Sequence, residues 1–189
     1  MQALIRRVGR CGYAQERQEP YEALVRAIAH QQLHGAAART ILGRFLALYP
    51  GTPFPTPEQV LSTEELALRA CGFSRSKVAS IRDIALKRSE GVVPTRRAAG
   101  RLSDAELIER LTVIRGVGRW TVEMLLMFNL NRMDILPVDD FGVREGYRKL
   151  HRLSMQPKPR ELAAIGELWS PWRSVASWYL WRAAEQRDP

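Results

Sequence analysis

Two short stretches of this 189-residue chain carry residue types that could do chemistry: Gly116-Val117-Gly118-Arg119-Trp120 and Pro137-Val138-Asp139-Asp140. Two glycines around one valine, directly ahead of a run without breakers, read as a tight turn at the start of a helix. The first amides of that helix then point outward with no side chains in the way, which makes an anion site. Glycine at 116 and 118 permits positive φ and close backbone approach, so a DNA phosphate could rest on the turn with Arg119 nearby. Such a contact reads no base, and each neutralised phosphate adds roughly 0.9 to the slope of log affinity against log salt. An ordinary helix–helix turn also fits G-x-G. Asp140 opens a helix behind Pro137, where the dipole and free amides favour an ionised carboxylate, although a plain helix cap fits the same residues.

The elements that must position these residues are helical. Leu107, Ile108, Leu111 and Ile114 are apolar at helical spacing ahead of the glycines, with Glu109 and Arg110 on the other side. Arg119, Trp120, Thr121, Glu123, Met124, Leu125 and Leu126 then start a second helix, which gives a helix, a four-residue turn and a helix. Beyond Asp139-Asp140, Val143 and Tyr147 take the apolar positions of the next helix.

Upstream, residues 3–10 read as a short helix, with Gly9, Gly12 and QERQEP as a linker to Pro20. From Tyr21, Leu24, Val25, Ile28, Gln32 and Leu33 recur at helical spacing as far as Gly35, and residues 36–49 continue with Ile41, Leu42, Phe45 and Leu46 inward. PGTPFPTP is a rigid loop. Thr56-Pro57-Glu58-Gln59 is a capping box, and Ser62 with Glu65 repeats the pattern. Cys71-Gly72 ends a helix, and Ser74 caps the next, which buries Val78, Ile81, Ile84 and Ala85 and sets Arg75, Lys77, Arg82, Lys87 and Arg88 on an outer, solvated face. EGVVPTRRAAGR is a loop leading to a second capping box, Ser103-Asp104-Ala105-Glu106. Near the end, Glu161–Leu168 forms a helix, and the last element holds four of the five tryptophans, of which Trp169, Trp172 and Trp178 suit core anchoring.

Composition bounds the partner. The formal net charge is +9 at a pI near 10.2, and of 29 basic residues only Lys77, Lys87, Lys149 and Lys158 are lysines. An arginine-rich surface suits phosphate and points to nucleic acid, although a GC-rich genome also inflates arginine. Cys11 and Cys71 are too few for a four-thiolate cluster or a structural zinc site, and His30, His34 and His151 lack ligand spacing. The N-terminus lacks the apolar run of an export signal, and no stretch reaches membrane-spanning length, so a soluble cytosolic protein with reduced thiols is expected.

The pattern L-x-x-I-x-G-V-G-x-W-T, with the second Asp of P-V-D-D 20 residues after Trp120, resembles the helix-hairpin-helix superfamily of DNA glycosylases. The likeness is greatest to the bacterial inducible 3-methyladenine-DNA glycosylase (glycosylase II) group. G-x-G-R-W-T, P-D-D and a terminal W-x-P-W-R-S-x-A-x-x-x-x-W recur there, and the last spans Trp169 to Trp181 here. Ile28-Ala-His-Gln-Gln32-Leu33 looks like that family's I-x-x-Q-x-L helix.

By that resemblance Asp140 is the catalytic carboxylate; Trp120, Trp181, Gln32 and Met124 line the base pocket; Leu33 is the minor-groove wedge; and Gly116, Val117, Gly118, Arg119 and Thr121 hold DNA. Met124 stands where the likeness leads one to expect an aromatic such as Tyr, and Trp120 stands where bifunctional members carry a Schiff-base lysine. The resemblance implies an all-α chain, one domain over residues 1–189, with a cleft between lobes 20–130 (hairpin 107–130) and 1–19 plus 131–189. By the same resemblance the chain is expected to lack the additional N-terminal β-rich domain of longer relatives, and its two cysteines do not match those of the iron–sulfur branch. The expected activity is cofactor-free, monofunctional hydrolysis of alkylated bases, flipped out of double-stranded DNA, by a monomer in a bacterial cytoplasm at the nucleoid. A structural cation on hairpin carbonyls occurs in the superfamily. Two rival readings are a non-catalytic damage-sensing DNA-binding protein and a glycosylase for deaminated or oxidised bases.

Overall fold

The computed structural model describes residues 1–13, 16–33 and 35–185, and these contain helices and no strand. His34, and Gln15 of the expected linker, lie outside the described residues. In order the helices are α1 (Gln2–Val8), α2 (Pro20–His30), α3 (Gly35–Ala47), α4 (Pro57–Ser62), α5 (Glu65–Ala70), α6 (Arg75–Ser89), α7 (Arg96–Ala99), α8 (Asp104–Thr112), α9 (Arg119–Met124), α10 (Phe141–His151), α11 (Pro159–Gly166) and α12 (Arg173–Glu185). A π-helical turn spans Leu125–Asn129, and a 3-10 turn spans Glu167–Trp169. The chain forms two compact units, residues 17–125 and residues 1–16 with 126–189.

The core of the 17–125 unit is built on α2, α3 and α6. Tyr21, Leu24, Val25, Ile28 and Ala29 of α2 are buried with Val78, Ile81, Ile84 and Ala85 of α6. Phe45 of α3 is fully enclosed and meets Tyr49, Phe54 and Phe73 edge-on at 5.5, 6.2 and 5.7 Å. Each such pair contributes about 0.5–1.5 kcal/mol beyond the area it buries. Local caps start several of these helices. Thr56 with Gln59 and Ser103 with Glu106 form reciprocal capping boxes, and the Ser74 hydroxyl accepts the Lys77 amide.

Three expectations are corrected in this unit. Ser62 caps nothing; it lies inside α4 and donates to the Gln59 carbonyl, while α5 starts behind Glu64. The 90–101 stretch is not all loop, because Thr95 caps the short α7. The outer face of α6 is not merely solvated. Arg82 donates to the carbonyls of Val60, Leu61 and Thr63 at the end of α4, Arg88 donates to Val93, and Lys77 holds the end of α2. Helix ends leave carbonyls without an amide partner, and at the ends of α4 and α2 Arg82 and Lys77 supply the donors.

In the other unit α10 packs on α12. Val143, Leu162 and Leu180 form one buried cluster with Leu136, Tyr147 and Trp169 against it; Leu4, Tyr179 and Ala183 form another with Val8, Cys11 and Trp178. Trp169 and Trp178 thus anchor the core as expected. Trp172 does not: it is 58 % exposed, because it precedes α12, whose inward face is taken by Ser174, Ala176, Ser177, Tyr179, Leu180 and Ala183.

Candidate active site

Asp140 is built into the start of α10. Its own amide bonds the Pro137 carbonyl at 3.0 Å, and its Oδ1 accepts the Val143 amide at 2.7 Å, so the carboxylate is the N-cap. Trp181 of α12 donates its indole N–H to the same Oδ1 at 2.8 Å. That meeting requires the helices to touch. A Cβ on Gly142 would lie 2.7 Å from Trp181 Cδ1, and one on Gly146 would overlap the Leu180 carbonyl oxygen. The spacing Gly142-x-x-x-Gly146 puts both gaps on one face of α10.

The segment entering Asp140 is pinned from the start of α12. Arg173 forks onto Asp134 at 2.7 and 2.9 Å, and the Ser174 hydroxyl donates to the Arg132 carbonyl at 2.7 Å while accepting the Ile135 amide at 3.1 Å. The Arg173 guanidinium, first, holds the Asp134 carboxyl below the ordinary aspartate range. The W-x-P-W-R-S motif thereby has a physical task, which is to fasten the chain that delivers Asp140.

Two further aromatics join Trp181. Phe128 stacks on it at 5.8 Å, and Tyr13 stacks on Phe128 at 5.2 Å. Burial pushes the Tyr13 phenol up, and its hydroxyl has no hydrogen-bond partner among the described residues. Sequence reasoning missed both. Phe128 leaves the π turn, where an extra residue per turn breaks the 3.6-residue register that predicts helix faces, and Tyr13 sits in an irregular segment.

The remaining sequence-derived site residues belong to the 17–125 unit. Gly116 has φ +77°, and a Cβ there would meet Ser80 Oγ at 2.5 Å and Ile28 Cδ1 at 3.4 Å, so conformation and space both demand glycine. Gly118 differs from expectation: its φ is −89°, it caps α9, and a side chain there would meet open space. The Arg115 amide is held by Asp83 at 2.7 Å, and the Gly116 carbonyl by Gln31 Nε2 at 3.1 Å. Arg119, exposed, pairs at 2.9 Å with Glu123, which is buried. The Val117 and Thr121 side chains are buried, which leaves only their backbone to meet an anion. Trp120 is 47 % exposed and Met124 half-buried.

The Gln32-Leu33 pair is not helical. The α2 helix stops at His30, Gln32 takes φ 57°, and Leu33 stands 38 % exposed on the turn. Lys77 meets that helix end: its ammonium donates to the Ala29 carbonyl at 2.9 Å and the Gln31 carbonyl at 2.7 Å, places that the amides of a continuing helix would fill. Desolvation pulls the Lys77 ammonium below the ordinary lysine value. Among the described residues no three His, Cys, Asp or Glu side chains gather as metal ligands would, and no helix is long and apolar enough to cross a membrane.

Comparison with known proteins shows what the chain as a whole is similar to. The chain is 47 % identical over 187 residues to DNA-3-methyladenine glycosylase 1 of Schizosaccharomyces pombe, covering 98 % of this chain and 82 % of that one. It superposes on the S. pombe 3-methyladenine DNA glycosylase Mag1 in complex with abasic DNA with a TM-score of 0.86 at 45 % identity, over 98 % of this chain and 93 % of that one. It superposes on a DNA-3-methyladenine glycosidase from Bacillus halodurans with a TM-score of 0.88 at 33 % identity, over 98 % and 84 % of the two chains. A family described as "HhH-GPD superfamily base excision DNA repair protein" matches residues 25–171, and the chain belongs to that superfamily.

Proposed function

We propose that this protein is a monofunctional DNA glycosylase that hydrolyses the N-glycosidic bond of alkylated bases of the 3-methyladenine type in duplex DNA. The observation that carries this reading is Asp140 Oδ1, held by the Val143 amide and the Trp181 indole at the mouth of α10. An alkylated purine is cationic and already a good leaving group. Its C1′–N bond breaks with the electron pair going to the base, which departs neutral, and positive charge gathers on the sugar. The Asp140 carboxylate stabilises that oxocarbenium-like sugar, and water adds to C1′ and releases a proton.

The other residues serve delivery. The turn of Gly116, Val117 and Gly118, with the Arg119 side chain and the Thr121 backbone, would hold a phosphate; Leu33 would fill the gap the flipped nucleotide leaves; Trp120, Trp181, Gln32 and Met124 would line the pocket. Extruding a nucleotide costs a few kcal/mol, and base–aromatic stacking worth about 1–3 kcal/mol per base offsets it. The protein would act as a monomer wherever duplex DNA lies, at the nucleoid in a bacterial cytoplasm.

The deciding experiment incubates the protein with methylated DNA and identifies the released bases. Release of N3-methyladenine or related alkylated bases is expected; no release across a broad lesion panel would instead favour a damage-sensing binding module. Trp120 replaces the amine that an imine needs. Borohydride should therefore trap no protein–DNA adduct, and a reduced covalent complex on a denaturing gel would refute the monofunctional assignment.

A further inference from the structure

We infer that Lys77 is a positioning residue for base excision, which locks the turn bearing Leu33 to the turn bearing Gly116 so that wedge and phosphate site move as one body. The inference rests on the reading above of Leu33 as the wedge and the hairpin as the phosphate site.

The lock is a closed set of contacts among α2, α6 and the hairpin. From α6, Lys77 reaches the Ala29 and Gln31 carbonyls at 2.9 and 2.7 Å, and no carboxylate pairs with it among the described residues. From the end of α2, Gln31 donates to the Gly116 carbonyl at 3.1 Å. Gly116 in turn fits against Ser80 of α6 and Ile28 of α2, with no room for a methyl group. A half-buried ammonium that loses hydration must find acceptors, and the ones it finds belong to the residues that set where α2 ends.

Ending α2 there has a local consequence. Gln32 is forced into the left-handed region, which non-glycine residues enter only where surrounding contacts over-determine it, and Leu33 is thereby turned outward. Without the ammonium, the Ala29 and Gln31 carbonyls regain amide partners only if the helix runs on. That would carry Leu33 around the helix by about 100° per residue added. A phosphate gripped at the hairpin then no longer fixes the wedge.

A lysine that only caps a helix would stabilise the fold without acting through Leu33, and a double-mutant cycle separates the two cases. With methylated duplex DNA in single turnover, Lys77→Met should slow base release about 10- to 100-fold, the range expected when a positioning contact is lost. Affinity for undamaged duplex should stay within about threefold, because no hairpin donor is removed. In a Leu33→Ala background the same substitution should cost less than about twofold, since the residue it positions is already gone. Lys77→Arg, which keeps a cationic donor, should retain most of the rate. Gln31→Leu cuts the other link at a half-exposed side chain and should show the same dependence on Leu33, so it carries the test if Lys77→Met melts below the assay temperature. Equal losses with and without Leu33, or a wild-type rate in Gln31→Leu and folded Lys77→Met, would overturn the inference. Failure of the wild-type protein to release any base would overturn the glycosylase reading instead.

Discussion

Asp140→Asn is expected to slow release of alkylated bases by roughly 10²–10³-fold, about 3–4 kcal/mol of transition-state stabilisation, while duplex DNA binding is unchanged. The substitution isolates charge from geometry. Asparagine keeps a side-chain oxygen, so the hydrogen bonds from the Val143 amide and the Trp181 indole can both persist. It also caps helices as well as aspartate does, so α10 should begin at the same residue. What disappears is the negative charge beside the sugar, which matters only as positive charge develops there. Single-turnover release and equilibrium binding on the same duplex check this directly. Excision at the wild-type rate by the folded variant would sink the assignment of Asp140, whatever other residue then proved responsible.

Gly146→Ala should be the most damaging single methyl group in the molecule. The added Cβ overlaps the Leu180 carbonyl oxygen, which is backbone inside α12 and cannot swing aside as a side chain would. Relief requires α10 and α12 to move apart, opening the cluster of Val143, Leu162 and Leu180 and drawing Trp181 off Asp140. A loss of about 3 kcal/mol is expected, a fall in Tm of roughly 6–12 °C for a chain of this size. Base release should fail even below the melting transition. Gly43→Ala is the control: it lies in α3 with open space around its would-be Cβ, so helix propensity alone should raise stability by about 1 kcal/mol. Thermal denaturation of the two variants side by side tests the pair, and equal melting temperatures would show that the close approach is not needed.

Much of this protein was legible in its sequence because the relevant signals are short-ranged. The caps at Thr56, Ser74, Ser103 and Asp140 each join a side chain to a backbone amide three residues on, so the residue types alone state the contact. The all-helical class follows from the spacing of apolar residues, and the superfamily from four motifs in fixed order, the hairpin and P-V-D-D among them.

Tertiary structure alone decided what depended on distant partners. The helical spacing of Leu24, Ile28 and Gln32 runs on past His30, yet α2 stops there, with the Gln31 carbonyl taken by a lysine 46 residues away. Arg82 and Arg88 look like a solvated face until the carbonyls they bind are seen, and Trp172 looks like core until α12 is found to begin after it. Gly142 and Gly146 carry no local signal as glycines within a helix, yet they set the distance at which Trp181 meets Asp140. A helix can cap its own start, because its first amides lie within reach of a neighbouring side chain. Its end, and the faces it presses on others, are settled by residues that only the folded chain brings near.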